Sequence, residues 1–327
     1  MKAAVIYHRE EMPQCADVPE PVVQGEDELL LTVKAAAIKH FDKGRASGKH
    51  YSAEQNRKEA TVIGGDAVGV LADGTRVFAL GVSGTIAERA TINKDTLVRL
   101  PDGLDEAIAA ALPNAVAGSA MALRFRAGMK PGETVLINGA TGFTGKMAVQ
   151  VARHYRAKKI IVTGRNEQSL QSLTALGAAE IISLNLDDDR FIAEIKRIHE
   201  VTPIDIIIDY LWGHSAELLL AALKGKGAFS HKTRFVSVGA VTGDNIQLSA
   251  AILRSVDLQL SGSGLGSWSK EEMKKLFSEI LPEMFQLAAD QQLQVEVDRV
   301  SLADIDQLWD REVPGGKRLV IIPVHSG

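Results

Sequence analysis

Hydrophobic and polar positions follow one pattern up to residue 132 and a different one from residue 133 onward. The first part contains short apolar runs that end at Gly or Asp-Gly. Such runs predict strands joined by turns. The predicted strands are residues 2–7, 28–38, 69–80 and 85–92. An Ala- and Leu-rich stretch over 104–126 then predicts a helix, in which Pro113 predicts a kink or a break.

From residue 133, strands and helices alternate. The strands are continuous apolar runs, which is typical of a parallel sheet buried on both faces. Repeated strand–helix units predict a doubly wound sheet. The predicted strands are 133–139, 159–164, 179–184, 204–211 and 234–239, and the helices are 144–156, 167–177, 187–199 and 215–224. A strand at 258–264, an amphipathic helix over 269–292 and a strand–helix–strand stretch over 295–323 follow.

Composition narrows the function classes. The chain has 327 residues, which favours two domains, and a formal net charge of −4. This charge gives no reason to expect nucleic acid or an anionic membrane as a partner. We find no apolar run of the roughly 18 to 20 residues that span a bilayer, and the N-terminal run is too short for a secretory signal. We therefore expect a cytoplasmic protein.

The single cysteine, Cys15, excludes an intrachain disulfide and a Cys-rich zinc site. It lies in a Pro-, Glu- and Asp-rich stretch that supplies no evident base, so we expect a surface or edge position rather than a nucleophile.

The stretch LINGATGFTGKM, residues 136–147, carries three glycines spaced three apart. It follows an apolar strand and opens a helix, whose first N–H groups and positive dipole end favour an anion. The spacing differs from the commoner G-x-G-x-x-G, and a tight turn is the alternative. We predict that the loop holds the phosphates of a dinucleotide. Its residues are Gly139, Ala140, Thr141, Gly142, Phe143, Thr144 and Gly145.

The end of the following strand indicates which dinucleotide binds. An NAD site places an acidic residue about 20 residues further on. Here the strand ends in Gly164, Arg165 and Asn166, and Arg165 stands twenty residues after Gly145. A guanidinium can bind a 2′-phosphate, so NADP(H) is favoured. The alternative is a solvated arginine.

Several segments together resemble the zinc-independent, quinone oxidoreductase-like branch of the medium-chain dehydrogenase/reductase superfamily. KAAVIY at the start is similar to the family's opening strand, and VIGGDAVGVL (62–71) resembles its GxDxxGxV segment. KPGETVLINGATGFTGKMAVQVAR (130–153) is similar to its nucleotide-binding core, and GGKRLVIIP (315–323) to its last strand. The matches follow the family's order along almost the whole chain.

The resemblance implies an α/β protein in two domains. A GroES-like β-rich catalytic domain would comprise 1–116 and 266–327, and a Rossmann NADP-binding domain 117–265. Cofactor and substrate are expected in the cleft between the domains. A homodimer through the strand near 256–262 is also implied. The residues expected near the nicotinamide are Asn114, Val238, Gly239, Gly262 and Ser263.

The resemblance also implies hydride transfer from NADPH to a quinone or an activated alkene, an enone or enal. Zinc-dependent relatives carry ligands where this chain has Lys39 and the pair Gly65-Asp66, so no metal is expected. Lys39 and Tyr51 are the candidate donors to a developing oxyanion, and Asp42 would orient a neighbour. Lys39 as an exposed lysine and Tyr51 as a mere pocket wall are the alternatives. Two other functions are possible alternatives: reduction of an aldehyde or ketone, and NADPH binding without catalysis, as in a crystallin-like protein.

Overall fold

The computed structural model describes residues 1–8, 11–48, 60–227, 230–311 and 313–323. The chain forms two compact units. The first unit consists of Met1–Asn114 with Phe277–Gly327, and the second of Ala115–Leu276. The domain borders expected from the sequence, after residues 116 and 265, stay predictions.

The chain begins with strands and few helices. The strands are β1 (Lys2–Ile6), β2 (Gln14–Asp17), β3 (Glu28–Ala37), β4 (Thr61–Val62), β5 (Asp66–Val70), β6 (Arg76–Leu80), β7 (Arg89–Asn93) and β8 (Val98–Arg99). The helices are α1 (His40–Ala46) and α2 (Glu106–Val116), and a π-helical stretch, Ala117–Arg126, continues α2.

Strands and helices then alternate through the second unit. The strands are β9 (Thr134–Asn138), β10 (Lys159–Gly164), β11 (Glu180–Ser183), β12 (Ile206–Asp209), β13 (Thr233–Ser237) and β14 (Leu258–Gly262). The helices are α3 (Phe143–His154), α4 (Glu167–Leu176), α5 (Asp188–Val201), α6 (Gly213–Ala222), α7 (Ala250–Ser255) and α8 (Lys270–Lys275). The elements that follow are a π-helical stretch (Leu276–Ile280), α9 (Leu281–Ala289), β15 (Val297–Ser301), α10 (Ile305–Leu308) and β16 (Arg318–Ile322).

The first unit is built on a seven-stranded mixed sheet and a three-stranded sheet. The larger sheet runs β15-β16-β3-β5-β6-β8, with β7 paired to β3, and the smaller runs β2-β1-β4. The predicted run 69–80 spans part of a β5–β6 hairpin that turns at Gly74, whose φ is +86°. Strands β2, β4 and β8 were not predicted, because two to four residues are too few to show a period.

The second unit is a six-stranded parallel sheet in the order β11-β10-β9-β12-β13-β14. Every residue of β9 and β12 is buried, which explains their unbroken apolar sequences. Numbered from β9, this order is 3-2-1-4-5-6, and ligands bind such sheets where the order reverses, at the carboxyl ends of the strands. The predicted doubly wound sheet and the β-rich unit are both confirmed.

Pro113 does not end the predicted helix. It lies inside α2, which continues into the π-helical stretch, where the Ser119 hydroxyl donates to the Ala115 carbonyl at 2.9 Å. The combined helix, Glu106–Arg126, is long and apolar enough to cross a membrane by length and composition, contrary to our reading of the sequence. Its apolar window is 72% buried inside the protein, which is typical of a core helix.

Gly69 provides a test of the first unit's packing. A β-carbon on Gly69 would lie 2.2 Å from the carbonyl oxygen of Thr32, beside the irregular register of β3 and β5. We expect Gly69→Ala to lower the free energy of unfolding by about 1–3 kcal/mol, because the strand must move to make room. Gly25→Ala is the control, since a β-carbon there meets no atom within 4 Å. Equal midpoints of the two variants in urea would contradict this packing.

Candidate active site

The glycine-rich loop joins the end of β9 to the start of α3. Gly142 is the N-cap of α3, with φ −80° and ψ 171°, and no side chain caps this helix. A β-carbon on Gly142 would meet no atom within 4 Å, so the protein leaves space next to the helix start. A helix start without a capping side chain favours an anion at that place.

The other two glycines are needed because the chain approaches itself closely. Gly139 has a φ of +85°, and a β-carbon there would lie 2.7 Å from the Leu211 side chain. A β-carbon on Gly145 would lie 2.5 Å from the Cα of Ala140, where α3 packs on the loop. The three glycines therefore have separate roles: Gly139 permits the turn, Gly145 permits the helix packing, and Gly142 leaves room for a ligand. The cradle fits the pyrophosphate of a dinucleotide.

A buried hydrogen-bond network holds this loop, and the sequence did not reveal it. Asn138 donates through Nδ2 to Oδ1 of Asp209 at 2.8 Å, which joins the ends of β9 and β12. The Thr163 hydroxyl donates to Oδ1 of Asn138 at 2.5 Å and accepts the N–H of Gly139 at 3.1 Å. The sequence signal that could have indicated this network is a polar residue at or near the end of each of three adjoining apolar strands.

Asp209 also fixes the turn after β12. Its carboxylate accepts the backbone N–H of Leu211 at 3.0 Å and that of Trp212 at 3.1 Å. Trp212 has a φ of +58°, a region that non-glycine residues rarely adopt. Burial raises the pKa of Asp209, although the Leu211 N–H and Asn138 oppose that rise. The carboxylate thus stabilises a turn that would otherwise be strained.

The end of β10 lies against the glycine-rich loop. A β-carbon on Gly164 would lie 2.5 Å from Cγ2 of Thr141. The Asn166 side chain caps α4 by accepting the N–H of Ser169 at 2.8 Å. Arg165 between them is exposed, and its side chain forms no ion pair with the residues that the structure describes. Its guanidinium is therefore available to an anionic ligand.

The residues expected near the nicotinamide lie at the same carboxyl edge of the parallel sheet, with one exception. The N–H groups of Val238 and Gly239 donate to the Asp209 carbonyl at 2.7 and 3.2 Å. Gly262 ends β14, and the Ser263 hydroxyl accepts from the Trp268 indole at 3.0 Å. The exception is Asn114. It is a partly buried residue of α2 and the last residue of Met1–Asn114, so it belongs to the first unit.

Gly118, in the π-helical stretch, has Val238, Thr144 and Tyr210 as its neighbours. A β-carbon on Gly118 would lie 3.4 Å from Val238, 3.6 Å from Thr144 and 3.8 Å from the Tyr210 ring. The Tyr210 hydroxyl is buried and has no hydrogen-bond partner among the described residues. Burial raises the pKa of Tyr210, so its hydroxyl keeps its proton.

In the first unit, Lys39 is buried among carboxylates. Its Nζ lies 2.7 Å from Oδ1 of Asp66 and 3.2 Å from Oδ2 of Asp42, and its side chain is 1% exposed. The same Asp42 oxygen accepts the backbone N–H of Lys39 at 3.1 Å. The alternative of a solvent-exposed lysine is therefore wrong. Asp42 thus contacts both the backbone N–H and the ammonium of Lys39, and the orienting role expected for it stays a prediction.

The charge state of this cluster follows from burial and pairing. Burial lowers the pKa of Lys39, but Asp42 and Asp66 raise it more, and the net direction is upward. Burial raises the pKa of Asp42. The ammonium therefore persists at neutral pH with two of its three N–H groups directed at carboxylates. Tyr51 lies outside the described residues, and a direct part for Lys39 or Asp42 in a reaction stays a prediction.

Proteins of known family resemble this chain in sequence and in fold. Residues 144–281 match the family model described as a zinc-binding dehydrogenase. The quinone oxidoreductase of Homo sapiens is 32% identical over 80% of this chain and 78% of its own. The chain belongs to the quinone oxidoreductase-like branch of the medium-chain dehydrogenase/reductase superfamily. The resemblance to the quinone oxidoreductase-like branch is thereby confirmed, and independence from zinc stays a prediction.

Other members of this superfamily match nearly end to end. A probable NADPH-dependent quinone reductase of Emericella nidulans is 26% identical, covering 95% of this chain and 96% of its own. The quinone oxidoreductase of Thermus thermophilus, whose structures include a complex with NADPH, is 25% identical with a TM-score of 0.78. That match covers 98% of this chain and 100% of the Thermus chain.

The buried position of Lys39 predicts a large effect on stability. Lys39→Met leaves two carboxylates without their cation, so we expect the free energy of unfolding to fall by about 3–5 kcal/mol. Since pairing raises the pKa of Lys39, its contribution is complete at neutral pH. It is lost only as the pH rises beyond the ordinary lysine value of about 10.4. Urea unfolding at pH 7 and at increasing pH measures both effects.

Lys2 provides the matched control. Its ammonium lies 2.6 Å from Asp17, but both side chains are about half exposed or more. Lys2→Met should leave the unfolding midpoint nearly unchanged, because exposed ion pairs contribute little. A Lys39→Met variant as stable as Lys2→Met would contradict the buried cluster.

Proposed function

We propose that this protein is an NADPH-dependent oxidoreductase that reduces a small quinone. The observation that carries the proposal is the uncapped start of α3, with open space at Gly142 and the exposed Arg165 at the end of the adjoining strand. NADP(H) as cofactor is supported by the NADPH-dependent Emericella relative and the NADPH complex of the Thermus enzyme. A cytoplasmic location belongs to the same proposal.

The second unit would bind and orient the cofactor, which when bound supplies the hydride. The N–H groups at the start of α3 would bind the pyrophosphate, helped by the helix dipole. The Arg165 guanidinium would bind the 2′-phosphate through charge-assisted hydrogen bonds. The network of Asn138, Thr163 and Asp209 would keep the loop in its binding conformation before the cofactor arrives, which lowers the entropy lost on binding.

In the first unit, Lys39 would supply a fixed positive charge without zinc. Hydride addition to a quinone or enone places negative charge on a carbonyl oxygen, which a cation or a donor stabilises. Two N–H groups of Lys39 are directed at Asp42 and Asp66, and in this proposal the third would donate to such an oxygen. Tyr51 is the second candidate donor. Reduction of activated alkenes and independence from zinc are part of the proposal.

A panel of acceptors tests the reaction. We expect NADPH oxidation with benzoquinones, and weaker oxidation with enals, that EDTA does not reduce. Loss of activity in EDTA would contradict the role given to Lys39. Turnover of simple aldehydes in preference to quinones would favour a carbonyl reductase. NADPH binding at micromolar concentration without turnover of any acceptor would favour a crystallin-like binding protein.

Arg165→Ala tests the choice of nucleotide. Loss of a charge-assisted contact of about 1.5–3 kcal/mol should weaken NADPH binding roughly 10- to 100-fold, whereas NADH binding should not change. Equilibrium fluorescence titration measures both nucleotides. Arg190→Ala, which removes an exposed arginine from α5, should change neither. An unchanged NADPH affinity in Arg165→Ala would contradict the 2′-phosphate site.

A homodimer through β14 is also proposed. This strand is at the edge of the parallel sheet and pairs only with β13 among the described strands. Leu260 on it is 36% exposed, and an unpaired apolar edge favours addition of a second copy. We expect Leu260→Lys to shift sedimentation from dimer to monomer. Val201→Lys, at an exposed position that ends α5, should remain dimeric, and a monomeric parent protein would contradict the proposal.

A further inference from the structure

We propose that Asn185 is a positioning residue for nucleotide selectivity: its side-chain amide holds the backbone of Arg165, so that the guanidinium reaches a 2′-phosphate. The inference rests on the proposed function, in which Arg165 binds that phosphate. Asn185 lies beyond the end of β11 and has no part in the predicted cofactor site.

The contact extends the pairing of two strands beyond their ends. Strands β10 and β11 are parallel and pair as far as Gly164 and Ser183. The next backbone bond runs from the N–H of Leu184 to the Gly164 carbonyl at 2.8 Å. Beyond that bond, a side chain rather than the backbone connects the two segments, because Nδ2 of Asn185 donates to the Arg165 carbonyl at 2.8 Å.

Asn185 is itself held in place. Its backbone N–H donates to the Ser183 hydroxyl at 3.2 Å, which turns the chain at the end of β11. This turn directs the amide toward β10 rather than along the strand. Strand β11 ends at Ser183, so Asn185 makes this contact from outside the strand.

The neighbours of Arg165 are restrained, and Asn185 restrains the peptide group between them. Gly164 is bound through its carbonyl to Leu184, and the Asn166 side chain caps α4. The carbonyl of Arg165 has Asn185 as its side-chain partner across the strands. An exposed arginine on a fixed backbone loses less conformational entropy when it binds an anion. Asn185 therefore acts on NADPH through Arg165 and has no reason to act on NADH.

Equilibrium titrations of NADPH and NADH with Asn185→Ala, Arg165→Ala and the double variant test this role. Loss of one such hydrogen bond should weaken NADPH binding about 3- to 10-fold and leave NADH binding unchanged. The double variant should bind NADPH no more weakly than Arg165→Ala, because Asn185 acts through Arg165. Asn93→Ala, which removes an asparagine bond to the Asp95 N–H in the other unit, is the matched control and should change neither affinity.

The outcomes separate this inference from the function on which it rests. If Arg165→Ala binds NADPH normally, the 2′-phosphate site itself is wrong. If Arg165→Ala binds weakly but Asn185→Ala binds normally, or if the two losses multiply in the double variant, only the role of Asn185 is overturned. An equal loss of NADPH and NADH affinity in Asn185→Ala would also overturn it, since the contact would then only maintain the fold.

Discussion

The hydrogen bond between Asn138 and Asp209 joins the two strands at which the parallel sheet reverses its order. Both side chains are fully buried, and an unpaired polar group there would cost about 1–3 kcal/mol. The loops after β9 and β12 are therefore fixed relative to each other, and each is shaped by the other. Gly139 can only be glycine because Leu211 lies against it, and Leu211 is held there by the Asp209 carboxylate. The conformation of the glycine-rich loop thus depends on the buried hydrogen bond between Asn138 and Asp209.

The first unit uses charge in a different way. Lys39 is surrounded by carboxylates of its own unit, and Arg318, nearly fully buried, is also close enough for Asp42 and Asp66 to influence its pKa. Burial lowers the pKa of Arg318 to about 10. Two cations and two anions thus lie together in a largely buried cluster. A lysine in such a cluster has a fixed position and a persistent charge, as a bound metal ion would, but it cannot exchange with the solution.

The sequence predicted the parts of the molecule that depend on local pattern. The long apolar strands, the helices between them and the glycine-rich loop all follow from periodicity and turn residues. The burial of Lys39 could not be predicted, because its partner Asp66 stands 27 residues away and only the fold brings the two together. The network around Asp209 could not be predicted for the same reason, since Asn138 and Asp209 are 71 residues apart in the sequence. Pro113 does not break the helix as one of the two expectations had it, because tertiary packing can maintain a helix that local preference would end; the expected kink stays a prediction.

A crystal structure of the protein with NADPH bound would show whether the nucleotide cradle is formed before the cofactor arrives. We predict the pyrophosphate at the start of α3 beside Gly142, with the 2′-phosphate within hydrogen-bond distance of the Arg165 guanidinium. We also predict that the loop from Gly139 to Gly145 keeps its conformation, since the buried network already holds it. A pyrophosphate bound away from α3, or a loop that rearranges on binding, would contradict a preformed cradle.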